Sequence, residues 1–165
     1  MSEKLTADHE LLIRLCRLDQ SREEGEQVSR LTEAVTRWDR FAWLANEHGI
    51  SALVYYNMKA LDLDRKLPEK ERYILRNSYL QSLSRNTNLS EKYNELEDLL
   101  KKEGYEPFLL KGMWLERNVY GNKGLRQMND VDFLIDKDRA MEAWEYLLTK
   151  GYKHSMIKSG LHRGM

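Results

Sequence analysis

The chain has 165 residues, 41% hydrophobic and 33% charged, which suits one soluble globular domain or two small subdomains sharing an interface. Its 27 Lys and Arg balance its 27 Asp and Glu, so net charge gives no strong argument for a nucleic acid or an anionic membrane as partner. Cys16 is the only cysteine, which excludes an internal disulfide framework and a cysteine zinc cluster and suits a reducing, cytoplasmic setting.

The amino-terminal stretch MSEKLTADHELLIRLC lacks the basic start and long apolar core of a secretory signal. No apolar run approaches the roughly 20 residues needed to span a bilayer. Residues 1 to 104 read as a helical subdomain. Asp8 is placed to cap a first helix carrying Leu11, Leu12, Leu15 and Leu18 on one side. A polar stretch, DQSREEGEQ, links it to a second helical pattern through Leu31, Val35, Trp38, Phe41, Ala42 and Ala45. Gly49 is a plausible stop for that helix, and Ser51 a cap for the next, ALVYYNMKAL. Pro68 sits well as the first residue of a long helix to about Glu103, with Leu89, Tyr93, Leu96 and Leu100 as its buried stripe and Gly104 as its end.

The period then changes, and residues 105 to 165 read as an α/β core. EPFLLKG, bounded by Pro107 and Gly112, predicts a short buried strand. MWLERNVYG returns to helical spacing through Trp114, Leu115, Val119 and Tyr120, and DVDFLI predicts a second strand. DKDRAMEAWEYLLTKG predicts a helix capped near Asp136 or Asp138, with Ala140, Ala143, Trp144, Leu147 and Leu148 buried and Gly151 as its stop. YKHSMI predicts a third strand, and the chain stops soon after it with no closing element, which suggests a piece of a longer protein. The expected fold class is α+β: a helical subdomain followed by a small mixed sheet.

Within DVDFLI, Asp130 and Asp132 flank one valine. Alternation along a strand puts both carboxylates on one face, about 6.6 Å apart. Such a pair can converge on a hard cation, and magnesium is typically shared between one or two carboxylates and substrate phosphates. Paired ions roughly 3.5–4 Å apart clamp the attacking and leaving oxygens of phosphoryl transfer. In a chain this rich in acids, the pair on its own reads first as a solvated strand edge. An aspartyl-phosphate phosphatase fits poorly, because Leu134 and RQMN stand where its pattern wants other residues. A sugar-nucleotide glycosyltransferase would place a β-α-β start where helices are read here.

The residues ahead of the pair change that balance. FLLKG is a strand ending in Lys111 and Gly112 at a helix start, where free amides receive phosphate and glycine lets a ligand approach the backbone. Lys111 supplies a point charge. Arg126, four residues before Asp130, can reach a triphosphate or pair with the aspartates.

This order resembles the polymerase-β-like nucleotidyltransferase superfamily, and more narrowly its branch of uncharacterised nucleotidyltransferases. The matching residues are Leu109, Leu110, Lys111 and Gly112, then Tyr120, then Arg126, Asp130 and Asp132, then Gly151 and Tyr152. RWDRFAWLANEHGISALVYYNM is similar to the family's tryptophan-aspartate helix and histidine-glycine turn.

The resemblance implies transfer of a nucleotidyl group from a nucleoside triphosphate (NTP) to an unknown acceptor: a small molecule, a protein or an RNA. Asp130 and Asp132 would be catalytic and hold Mg²⁺ or Mn²⁺, and Lys111, Gly112 and Arg126 would bind the nucleotide. Two features depart from the superfamily pattern. Its turn is commonly Gly-Gly or Gly-Ser, and here it is Lys111-Gly112-Met113. Its third carboxylate has no counterpart here, since after Asp138 only Glu142 and Glu145 remain, both on a predicted helix. The alternative reading is a catalytically degenerate nucleotide-binding or protein-interaction module on the same fold.

The remaining candidates read as structural. His9, His48, His154 and His162 form no close ligand pair, and His48 reads as closing a helix. Trp38, Trp43, Trp114 and Trp144 read as core, and Cys16 as buried and inert.

Overall fold

A computed structural model of the chain describes residues 5–154. Four short helices come first: α1 (Ala7–Leu15), α2 (Arg22–Ala34), α3 (Trp38–Glu47) and α4 (Ser51–Ala60). Apolar residues spaced three and four apart give each helix an inward stripe, and Leu11, Leu15, Val28, Phe41, Val54 and Met58 are fully enclosed between them. No helix among the described residues is long and apolar enough to cross a membrane.

Several helix ends differ from expectation because capping chemistry acts locally. Thr6, not Asp8, holds the N-cap position of α1, its hydroxyl 2.7 Å from His9 Nδ1, while Asp8 is buried in the first turn. The expected linker DQSREEGEQ is helical from Arg22, because Ser21 and Glu24 form a reciprocal capping box. The single helix expected from Leu31 to Ala45 breaks after Ala34, where Val35 turns extended at ψ 121°. Gly49 does close α3, at φ +65°. Ser51 starts α4 instead of capping it, with Ile50 in the N-cap position and no side-chain cap.

Helix α5 (Glu69–Lys102) has 34 residues and is about 50 Å long; Pro68 stands in its N-cap position, one residue earlier than expected. It is the spine of the molecule. Leu75 belongs to the four-helix core, Tyr93 packs with Met113 and Met128, and Leu100 packs with Tyr105 and Ala143. Gly104 ends it at φ +75°, and Arg139 covers that end, its guanidinium 4.2 Å over the Tyr105 ring and donating to the Gly104 carbonyl at 2.7 Å.

Strands β1 (Phe108–Leu109) and β2 (Phe133–Leu134) pair antiparallel, Phe108 opposite Leu134 and Leu109 opposite Phe133. The α+β class is met, with a two-stranded sheet among the described residues. Leu109 and Phe133 pack towards Tyr93 of α5. The run FLL is not buried as expected: Phe108 is exposed, because only one face of this sheet is covered. Tyr152–His154, the start of the expected third strand, are irregular, and the rest of YKHSMI lies outside the described residues.

Helix α6 (Lys111–Leu115) runs into a wide π-type turn over Glu116–Tyr120 that ends at Gly121, φ +62°. The expected stripe is rotated: Met113 and Glu116 are buried, while Trp114 and Val119 are exposed. The wider turn breaks the 3.6-residue spacing from which that face was predicted. Helix α7 (Ala140–Thr149) follows a short turn in which the Asp136 carboxylate accepts the Asp138 amide at 2.8 Å. It buries Ala143 with Tyr146 and Leu147 against it, but leaves Ala140, Trp144 and Leu148 exposed.

Trp43, Trp114 and Trp144 are therefore solvent-facing, not core, and only Trp38 packs partly inward, edge-on to Phe41 at 5.3 Å. Cys16 is exposed rather than buried, beside a groove lined by Leu12 and Leu44. Partial burial nonetheless pushes its thiol above the ordinary cysteine range. It is expected to exchange with an aromatic disulfide reagent more slowly than an unperturbed thiol at the same pH, as followed by absorbance. A rate equal to or above that of the free thiol would contradict this.

Candidate functional site

The Leu110 amide donates to the Asp132 carbonyl at 2.9 Å, which carries the β1–β2 ladder one step past the strands. That bond sets Asp132 beside the start of α6. Lys111, the next residue, adopts φ +44°, uncommon for a residue with a β-carbon, and its ammonium lies 3.2 Å from Asp132 Oδ2. The two side chains are 71% and 40% exposed, so the pair contributes little to stability and both partners stay accessible.

Gly112 comes next, under the irregular segment of residues 121–132, the 120s loop. A β-carbon there would lie 3.1 Å from Met128 Sδ and 3.6 Å from Arg126 Nε. Arg126 thus runs against the backbone at the start of α6, and its Nε is buried without a hydrogen-bond partner among the described residues. Four of the five candidate residues are brought together in two contacts, Lys111 with Asp132 and Gly112 with Arg126. Asp130 is exposed in the irregular segment before β2. The strand expected over DVDFLI narrows to Phe133–Leu134, so regular alternation does not set how the two carboxylates face each other. Among the described residues, no three His, Cys, Asp or Glu side chains group closely enough to hold one ion.

The loop carrying Arg126 is pinned to α5. Asn86, fully buried, donates through Nδ2 to the carbonyls of Lys123 and Arg126, the latter at 2.7 Å. The Tyr79 ring lies directly against Gly124, and Arg85 donates to Asn129 Oδ1 at 2.9 Å. Sequence reasoning missed these positioning residues. A signal was present, because Leu75, Tyr79, Ser82, Asn86, Leu89 and Tyr93 follow one spacing of fours and threes on α5. Short polar residues within an apolar stripe mark where a helix meets backbone instead of side chains.

Between the α3–α4 turn and this loop lies a cavity of about 440 Å³ whose walls include His48, Leu53, Tyr120, Arg126, Gln127 and Asn129. His48 closes α3, as expected, and also faces this space. The lining is mostly polar and, among the described residues, contains no carboxylate.

A family model described as an uncharacterised nucleotidyltransferase matches residues 34–162, a span that includes Lys111, Gly112, Arg126, Asp130 and Asp132. No curated protein and no solved structure matches the chain. With most of its length matched, from the end of α2 past α7, the chain belongs to this family of uncharacterised nucleotidyltransferases, whose general role is nucleotidyl transfer.

Proposed function

We propose that the protein is a metal-dependent nucleotidyltransferase acting on an NTP, with residues 105–165 as its catalytic half and residues 1–104 as a helical support. The observation that carries this reading is the convergence of Lys111, Gly112, Arg126 and Asp132 at the junction of β1, α6 and the 120s loop. Asp130 and Asp132 offer hard oxygen donors, one exposed and one half-buried, which suits Mg²⁺ because that ion keeps several waters and takes few protein ligands. Bound there with the triphosphate, Mg²⁺ would neutralise charge on the phosphate oxygens.

The chain's own groups do the rest. Lys111 exchanges its contact with Asp132 for a phosphate oxygen, a short swing for a side chain that is 71% exposed. Arg126, backed by Gly112, offers a guanidinium held in place by the Asn86-anchored loop. The deprotonated acceptor oxygen bonds to the α-phosphorus, the bond from that phosphorus to the bridging oxygen breaks, and pyrophosphate leaves. The protein's contribution is positioning and charge stabilisation.

One observation favours a second reading. Lys111 already neutralises Asp132, as a module that binds nucleotide without turning it over could. Release of pyrophosphate from an NTP in Mg²⁺ separates the two, and thermal unfolding tests the nucleotide site that they share. Mg²⁺ or Mn²⁺ with an NTP is expected to raise the midpoint by several degrees at saturating ligand, and Asp130→Asn or Asp132→Asn is expected to abolish the rise. A rise that needs neither metal nor aspartate would support the binding module, and no rise at all would sink both readings.

A further inference from the structure

The cavity between the α3–α4 turn and the 120s loop has three features that favour an anion. The first is its lining. Among the described residues, Arg126 is the only formally charged one in the wall, Gln127 and Asn129 add amide donors, and no carboxylate opposes them. The second is how Arg126 is held: its carbonyl accepts from Asn86 and its Nε is buried beside Gly112, without a partner among the described residues, which leaves the terminal guanidinium nitrogens as the donors an anion can meet.

The third is the start of α4. Ile50 and Leu53, at its N-cap and first turn, line the cavity. The first amides of a helix have no intrahelical acceptor, and here no side chain caps them. A ten-residue helix therefore starts at the cavity wall without a side-chain cap among the described residues, beside the C-terminal end of α3 at His48. Gly49, at φ +65°, makes the tight turn that delivers this end, and a β-carbon there would sit 3.6 Å from Gln127 Oε1. The helical lead-in and the 120s loop thus build one concave surface from residues about 75 positions apart in the chain.

We propose that this cavity is an anion subsite that takes a phosphate or carboxylate group of the substrate without needing a metal. It assigns a binding role to the histidine-glycine turn, Gln127 and the start of α4, and it rests on the transferase reading only for the identity of that substrate. Arg126 then joins two surfaces, the start of α6 on one side and this cavity on the other.

The experiment is calorimetric titration of the full chain with inorganic phosphate and with tripolyphosphate in the presence of a chelator. Saturable binding is expected. Arg126→Gln should weaken it roughly tenfold or more, and Gln127→Ala or His48→Ala should weaken it by a smaller factor. Lys70→Ala removes a surface charge outside the cavity and should leave it unchanged. Retained circular dichroism shows that each variant is folded, and the two milder variants keep the test open if Arg126→Gln fails that check.

Repeating the phosphate titration with Mg²⁺ and a saturating non-hydrolysable NTP distinguishes the sources. Competition assigns the cavity to the nucleotide's phosphate tail, and undiminished binding assigns it to an anionic group on the acceptor. No saturable binding in chelator overturns the proposal, as does binding that Lys70→Ala weakens as much as Gln127→Ala. Failure of the transferase reading looks different: anion binding would persist while the metal-dependent NTP shift is missing.

Discussion

Replacing Asn86 by alanine is expected to lower the unfolding free energy by about 2–3 kcal/mol, because it strands two partly buried carbonyls at once. Asn86 has no exposed surface and gives both contacts to the 120s loop, at Lys123 and Arg126. The apolar stripe of α5 cannot compensate, since what faces Asn86 is main chain. Urea denaturation should show a lower midpoint at an unchanged slope. Asn94→Ala on the same helix is the comparison. Asn94 is exposed and accepts from Arg117 at 2.6 Å, so its loss should stay within about 0.5 kcal/mol. Equal costs for the two asparagines would rule out the anchoring role of Asn86. Because Asn86 holds the Arg126 carbonyl, the same variant should also diminish the NTP-induced thermal shift at sub-saturating nucleotide.

The second large effect is expected at Gly124, where alanine should cost about 2–3 kcal/mol by overpacking. A β-carbon there would lie 2.8 Å from Tyr79 Cδ2 and Cζ, and closer still to Cε2. The ring has little room to retreat. It packs 6.1 Å from Tyr55 and lies stacked 6.2 Å from Tyr56, and its hydroxyl is 3.3 Å from Asn122 Nδ2. Tyr79 is thus the joint at which α4, α5 and the 120s loop meet. If overpacking is the cause, Tyr79→Ala opens the space that the added methyl needs. The double variant should then be less destabilised than the sum of the singles by about 1 kcal/mol or more. Strict additivity would show that the methyl and the ring do not compete for space.

Both residues illustrate what sequence reading could and could not reach. The turn and the acid pair were legible because each is a local pattern: LLKG after an apolar run, and D-x-D four residues beyond Arg126. The family match over residues 34–162 agrees with the resemblance drawn from those strings. Asn86 is one of many polar residues on a long helix. Its spacing on α5 places it on the inward stripe, but the two carbonyls it meets lie 37 and 40 positions away, and that spacing does not identify them. The cavity was illegible for the same reason, because its two walls are far apart in the chain.

The errors about burial have a common source. Trp114, Trp144 and Leu148 read as buried because they are large and apolar, and Val119 shares the helical spacing of Trp114, yet all four are exposed. Hydrophobicity says that burial would be favourable, but whether a surface exists to bury against is a property of the packed molecule. With one face of a two-stranded sheet covered by α5, the interior here has room for Met113, Met128 and Tyr93 but not for those four.

By itself the sequence determined the run of helices, their order before the strands, the α+β class and the strings that carry the family likeness, because these depend on periodicity and on residues a few positions apart. Tertiary structure alone decided which face of α6 points inward, the antiparallel pairing that sets Asp132 beside Lys111, and the loop that brings Arg126 over Gly112 and into a cavity. Those outcomes rest on contacts between distant segments, whose free energy exists only once the partners have met.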